Sequence, residues 1–240
     1  MSWFVHWFDS PYYHTLYKNR DEKEAQAFID NLVQHLQIPK GSKLIDIACG
    51  KGRHAIYFNS LGFDVVGVDL SPNSIRTAKK GENKNLQFSV HDMRDVYQEN
   101  SFDVVTNLFT SFGYFEKKTD EQKSINAMAS NLKRGGLIII DFMNAEKVIS
   151  NLVLKEKKMI DNITFDISRK VEDGYIIKDI AITNGTEKQH FQEKVKAITL
   201  ADYSEFITTA GLKIIDIFGN YKLEDFDIKT SDRLILICKK

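Results

Sequence analysis

The sequence predicts an α/β fold, a mainly parallel sheet with helices on both faces, carrying an inserted antiparallel β-hairpin subdomain. Three observations predict it. Apolar strand-like runs alternate with helix-like segments as far as about residue 150, the pattern of strands joined by crossover helices. The stretch LIDIACGKGRHAIYF, Leu44 to Phe58, leads an apolar strand that carries an acid directly into a glycine-rich turn and a helix. Beyond Ala145 the period changes to two. From Met159 to Ile198 the segments ITFDISRK, YIIKDIAI and HFQEKVKAIT alternate apolar and polar residues, with DG at 173–174 and NG at 184–185 between them, as hairpins do.

Taken in order, the chain begins with MSWFVHWFDSPYYHTLYKNR. Its aromatics Trp3, Phe4, Trp7, Phe8, Tyr12, Tyr13 and Tyr17 are too dense for a solvated tail and suit core capping or a lid. DEKEAQAFIDNLVQHL opens with acids and sets Ala25, Phe28, Leu32, Val33 and Leu36 on one helical face, ended by Pro39 and Gly41. Strands are expected at Lys43–Ala48, Asp64–Val68, Leu86–Val90, Phe102–Asn107 and Leu137–Phe142. Helices are expected near 54–61, 72–80 and 119–132, with Gly135 and Gly136 turning the last helix into its strand. After the hairpins come a helix in LADYSEFITTAGL and strands LKIIDIF and RLILICKK. The expected organisation is a core from residues 1–150 and 199–240, with 1–40 an aromatic lid and helix, and an inserted β subdomain at 151–198.

Composition narrows the class. With 240 residues, 42% hydrophobic and 28% charged, the chain can bury a full core in one domain with one insertion. Lys plus Arg and Asp plus Glu are 33 each, so there is no overall basic field for gripping nucleic acid or an anionic membrane. The cysteines are Cys49 and Cys238 alone, which gives neither a disulfide framework nor zinc-ligand spacing, and no metal is expected. The N-terminal stretch shows no basic n-region followed by an apolar h-region, and no apolar run approaches the length of a membrane span, so neither leader nor span is expected and a reduced, cytoplasmic setting is.

Leu44, Ile45 and Ile47 suit a buried parallel strand, and Gly50 and Gly52 allow a turn tight enough for backbone N–H groups to approach a ligand. Asp46 selects the ligand. A carboxylate four residues before Gly50 repels a pyrophosphate and favours a cationic amine or sulfonium, although Gly50-x-Gly52-x-x-Ala55 also fits a dinucleotide-binding turn. In VVGVDLSPNSIRTAKK, Asp69 ends a strand and Ser71 or Pro72 starts a helix. One carboxylate there can accept from both vicinal hydroxyls of a ribose, and its interval from Gly50 is close to the roughly 20 residues expected for that role.

Asp46, Gly50, Gly52 and Asp69 together resemble the class I, Rossmann-like S-adenosylmethionine-dependent methyltransferases, over most of the chain. The resemblance implies a seven-stranded sheet with its last strand antiparallel, and S-adenosylmethionine as cofactor. It implies cofactor contacts from Asp46, Ala48, Cys49, Gly50, Gly52, His54, Asp69 and Leu70, with Tyr13 from the lid. It implies further cofactor contacts from Asp92 and Met93 of SVHDMRDV, at the adenine, and from Asn107, Leu108 and Phe109 of NLFTSFGYF, the segment where the methyl group would meet its acceptor. That segment does not match the [DN]PP[YF] sequence of adenine and glutamine amino-methyltransferases, and no cysteine is placed for pyrimidine C5 chemistry. TSFGYF instead resembles the SSxGYL-like segment of small-molecule N-methyltransferases, especially those acting on amino sugars. DMRD and HFQEKVKAITLADYSEFITTAGLKI add to that likeness. Ser111, Phe112 and Tyr114 are therefore the expected acceptor contacts.

In the resembling enzymes an N-terminal segment closes over the cofactor, so Tyr12, Tyr13 and Tyr17 are the lid candidates. Tyr12, Tyr17 and His190 are carried as catalytic candidates. His14, His54 and His91 are further titratable groups near the motifs, His54 orienting the turn or the methionine carboxylate. The expected function is direct in-line methyl transfer to a small-molecule acceptor, an amine by preference. An NAD-dependent oxidoreductase and a non-catalytic S-adenosylmethionine-binding module are the alternatives, and a homodimer stays open. The insertion is expected to roof the acceptor pocket, with a sheet extension or dimer contact as its alternative role.

Overall fold

KLIDI is a nearly unbroken apolar run because β1 (Lys43–Ile47) lies in the middle of a sheet and is buried from Leu44 onward. A computed structural model of the chain describes residues 3–8, 10–18 and 22–240, without the side chains of residues 3–5 and 14. Trp3, Phe4 and His14 as functional side chains therefore lie outside the described residues. The strands that follow are β2 (Asp64–Asp69), β3 (Leu86–Val90), β4 (Phe102–Asn107), β5 (Leu132–Met143), β6 (Lys155–Ile160), β7 (Ile163–Glu172), β8 (Tyr175–Asn184), β9 (Glu187–Lys196), β10 (Lys213–Phe218) and β11 (Arg233–Lys239). Seven of them form one sheet in the order β10-β11-β5-β4-β1-β2-β3. The strands β1 to β5 pair in parallel, and β11 runs antiparallel to both β5 and β10.

The helices are α1 (Trp3–Phe8), α2 (Pro11–Leu16), α3 (Glu22–Leu36), α4 (Arg53–Ser60), α5 (Pro72–Ala78), α6 (Lys118–Asn131), α7 (Ala145–Ser150) and α8 (Leu200–Thr209). Phe28, Ile29 and Leu32 of α3 pack with Phe58 of α4 and Ile75 of α5 on one face of the sheet. Ile125 and Met128 of α6 pack with Tyr203 and Phe206 of α8 on the other. Helix α8 starts on a reciprocal cap, Thr199 accepting from the Asp202 backbone N–H while Asp202 accepts from that of Thr199.

The remaining strands make a separate antiparallel sheet in the order β6-β7-β8-β9. Its hairpins are joined by two-residue loops. Asp161 and Asn162, then Asp173 and Gly174, all take positive φ, the backbone that matches the twist of flanking strands. The last loop is Gly185–Thr186, because Asn184 still pairs with Glu187; the NG reading set this turn one residue early. Strand β6, KEKKMI, was not expected. It is an edge strand rich in lysine, where charge discourages further pairing and erases the alternation that marks a strand. Strand β5 also begins earlier than expected, at Leu132: its register against β4 shifts between Phe102 and Val104, and the Gly135–Gly136 pair is absorbed inside the strand.

A third apolar cluster joins this sheet to the N-terminal helices. Trp7 and Leu16 pack on Phe165, Ile167, Ile180 and Ile182, and Trp7 meets the Phe191 ring at 4.8 Å. Each fully buried side chain of this size contributes roughly 1.5–3 kcal/mol. Among the described residues no helix is long and apolar enough to cross a membrane.

Candidate active site

The carboxyl ends of β1 to β4 form the floor of a cavity of about 1460 Å³, walled by α1, α2 and the loop after them and roofed by β7, β8 and β9. Ligands of open parallel sheets bind at this edge. The floor begins with the turn from β1 to α4, where Ala48, Gly50 and Gly52 have φ of 59°, 57° and 85°. The glycines serve different ends. A Cβ on Gly50 would meet nothing within 4 Å, whereas one on Gly52 would lie 2.7 Å from the Phe88 ring. Gly50 leaves a ligand face open; Gly52 lets the turn settle on the core.

Asp69 fastens the turn to the end of β2. Its Oδ2 accepts from the Gly50 N–H at 2.9 Å and its Oδ1 from the Ser71 N–H at 2.8 Å. Asp46 is wholly buried and not on the cavity surface. Its Oδ1 accepts from the Thr106 hydroxyl at 2.8 Å, and its Oδ2 is without a hydrogen-bond partner among the described residues. Burial, with the Asp69 charge adding, raises its pKa to about 7.

That shift has a definite sign. The carboxyl gives up its proton near 3.8 in the unfolded chain and near 7 in the folded one, so the folded state holds the extra proton between those values. The contribution of this group to stability therefore falls as pH rises from 3.8 to about 7. Asp46→Asn is expected to remove that slope, gaining on the parent by up to a few kcal/mol at pH 8 and least at pH 4. Melting curves at both pH values check this; a difference independent of pH refutes it. A buried cation beside Asp46 would favour its ionised form, so the same variant should bind a sulfonium-bearing ligand more weakly.

Further along the floor, Asp92 and Met93 line the cavity beyond β3. Asp92 is gripped by Arg94, Nε donating at 3.0 Å to one oxygen and Nη2 at 2.6 Å to the other, and these bonds hold its carboxyl below the usual range. After β4 come Leu108 to Ser111, all on the surface. Phe109 and Thr110 are successive left-handed residues, φ 67° and 59°, a backbone that costs about 1–3 kcal/mol at each non-glycine position. They are clamped by hydrogen bonds: the Phe109 N–H donates to Asp141 Oδ2 at 2.8 Å, and the Tyr114 hydroxyl donates to the Thr110 carbonyl at 2.7 Å.

Among the lid candidates, Tyr13 and Tyr17 line the cavity with Phe8. Rings in sequence Tyr17, Tyr13, Phe8, Tyr114 are 4.9, 5.0 and 5.5 Å apart, a continuous aromatic wall from roof to floor. Glu193 anchors its upper end. It accepts from Trp7 Nε1 at 2.7 Å and the Tyr17 hydroxyl at 2.7 Å, and pairs with Lys178 at 3.3 Å, which also donates to Tyr17.

Several expected site residues stay off the cavity surface. Asn107 is buried, its Nδ2 donating to the Ile47 carbonyl at 3.0 Å, so it ties β4 to β1. Phe112 is core, its ring 5.7 Å from that of Tyr203. Tyr12 turns to Glu187 at 3.2 Å. His190 pairs across from Ala181, one residue out of phase with inward-facing Phe191, Glu193 and Val195, so strand alternation puts it on the outer face. Ala48, Cys49, Leu70 and His91 do line the cavity. His54 lines it too. Burial and the Arg53 charge lower its pKa to about 3, so its neutral ring faces the Arg53 guanidinium at 3.1 Å.

Arg53, Lys178, Glu193 and Arg233 line the cavity without having been singled out from sequence. For Arg53 the signal was its place directly after Gly52. For Glu193 it was parity with Phe191. The floor suits a nucleoside with a cationic arm: an unpartnered buried carboxylate oxygen on Asp46, open space at Gly50, and the Asp69 carboxylate at the adjoining strand end.

Residues 38–199 match the family model described as a methyltransferase domain. A dTDP-3-amino-3,4,6-trideoxy-alpha-D-glucopyranose N,N-dimethyltransferase from Streptomyces venezuelae is 25% identical over 213 residues, 82% of this chain and 86% of that protein. The crystal structure of an S-adenosylmethionine-dependent methyltransferase from Clostridium acetobutylicum superposes with a TM-score of 0.79 at 21% identity, covering 98% and 97% of the two chains. An amino pentose methyltransferase from Micromonospora echinaspora, solved with S-adenosylmethionine bound, gives 0.74 at 16% identity, covering 96% and 97%. The dinucleotide alternative finds no support among these.

Proposed function

Because this chain belongs to the methyltransferase-domain family and is an S-adenosylmethionine-dependent methyltransferase, we propose that it methylates an amine nitrogen of a small molecule, with amino sugars the first class to test. The observation that supports a small-molecule acceptor is the size of the roofed cavity. At about 1460 Å³ it exceeds the roughly 300–1,000 Å³ of a site for one small ligand, so it has room for cofactor and acceptor together.

Bound S-adenosylmethionine supplies a methyl group made electrophilic by its cationic sulfur. In our reading Asp69 accepts from the ribose hydroxyls, Asp92 and Met93 meet the adenine, and Arg53 beside neutral His54 faces the methionyl carboxylate. Asp46 supplies negative charge beneath that end. Ser111, Tyr114 and Phe8 border the acceptor, whose nitrogen must shed its ammonium proton to solvent before its lone pair can take the methyl group; the Glu193 charge in the upper wall is met by Lys178. The aromatic wall excludes water, which strengthens these interactions. Alignment of nucleophile and methyl group then supplies most of the rate. The expected amine acceptor agrees with TSFGYF and with what the Streptomyces venezuelae relative is named for. We place the protein in the cytoplasm on its buried free cysteines.

The test is formation of S-adenosylhomocysteine with a panel of amino sugars, free and nucleotide-linked, each beside its hydroxyl counterpart. Turnover is expected with one or more amines and with none of the hydroxyl compounds. Methylation of a hydroxyl compound, or none of any amine by a protein that binds the cofactor, overturns the amine assignment.

A further inference from the structure

Asp141 on β5 is wholly buried, and Arg233 on the neighbouring β11 is locked to it, Nε donating to Oδ1 at 2.7 Å. The other carboxylate oxygen is shared by the Phe109 N–H at 2.8 Å and the Tyr221 hydroxyl at 3.2 Å. Arg233 reaches onward, its Nη2 donating to Thr110 Oγ1 at 2.9 Å, while the Thr110 N–H donates to the Asp141 backbone carbonyl at 3.0 Å. A guanidinium can serve a carboxylate and a hydroxyl at once because its donors are fixed in a planar fork; an ammonium on a flexible stem has no such geometry.

The two residues held in this way are the successive left-handed pair at the end of β4. Their conformation decides where the loop points. It lays the Phe109 ring under the Arg53 guanidinium at 4.7 Å, and it precedes Ser111 and Tyr114 in the cavity wall. Cofactor side and acceptor side thus meet in one strained turn whose clamp comes from the far end of the chain.

We propose that Arg233, fixed by Asp141, is a positioning residue for methyl transfer, acting through Phe109 and Thr110 to hold the β4 loop in its left-handed form. The proposal rests on the methyltransferase reading of this cavity. A misplacement of about 1 Å at a reacting pair costs roughly 100-fold in rate, so a loop that relaxes without unfolding loses turnover rather than ligand.

Thr110→Val tests this without stranding a buried charge, since it removes only the hydroxyl that Arg233 reaches; Arg233→Lys keeps the charge and loses the fork. Amide hydrogen exchange of residues 108–112 is expected to quicken about tenfold in both variants, with Leu44 to Ile47 exchanging as in the parent. Thr110→Ser should return the exchange toward the parent rate. With the acceptor found by the amine panel, kcat is expected to fall about 10- to 100-fold, while acceptor KM and the S-adenosylmethionine Kd move less than about threefold. Parent-like exchange in folded Thr110→Val, or a fall in kcat matched by an equal rise in cofactor Kd, overturns the proposal. A parent protein that fails to bind S-adenosylmethionine overturns the methyltransferase reading itself, and this inference with it.

Discussion

Asp69→Ala is expected to weaken S-adenosylmethionine binding by about 10- to 100-fold or more, since charge-assisted hydrogen bonds contribute roughly 1.5–3 kcal/mol each and 1.4 kcal/mol is tenfold. Two effects combine. The ribose hydroxyls lose their proposed acceptor, and the Gly50 and Ser71 N–H groups lose the carboxylate that fixes the turn. The variant should still fold, because neither bond lies in the apolar layers and a domain of this size has about 5–15 kcal/mol of stability. Calorimetry with S-adenosylhomocysteine, alongside a melting curve, separates these effects. Unchanged affinity would remove Asp69 from the cofactor site. Asp69→Asn, which keeps an acceptor oxygen for Ser71, should recover much of the stability and little of the affinity.

Replacing residues 155–196 by a short flexible linker should have the largest effect on turnover, a loss of about 1,000-fold or more, because proximity and exclusion of water both depend on enclosure. Ile176, Lys178, Glu193 and Val195 would leave the cavity wall with the sheet that carries them. Cofactor affinity should fall by no more than about tenfold, the part owed to Tyr13 and Tyr17, since the floor comes from β1 to β4. The main sheet should keep a melting transition, lowered by the loss of Val195 from one apolar layer and of Lys196, which pairs with buried Glu121 at 2.6 Å. A folded deletion variant with parental turnover refutes the roof assignment.

The main sheet was legible because parallel strands buried on both faces are near-continuous apolar runs, and the turns between them need glycine. The ends of β1, β2 and β3 were therefore found together with their acids. What escaped has physical causes. Lys155 to Ile160 forms a strand on an exposed sheet edge, where lysine replaces the apolar period. Arg233 reaches Thr110 across 123 positions of sequence, and pairing between β5 and β11 leaves no local signature. His190 differs: its alternation with Phe191 sets it on the outer face, and parity along the strand outweighs the chemistry of its ring. Asn107 misled because a polar residue at a strand end resembles a ligand group, whereas its amide bonds the next strand.

The cluster that holds α1 and α2 joins Trp7 and Leu16 to residues more than 140 positions later. Synthesis at about 5–20 residues per second would separate the two partners by roughly 7–30 seconds on the ribosome. Through that interval Trp7 and Leu16 lack the cluster that buries them. The catalytic enclosure is therefore among the last parts of the nascent chain to close, after the parallel strands of its floor have all emerged, so premature termination before β7 should yield a nascent cofactor site with its N-terminal aromatics exposed to chaperones and proteases.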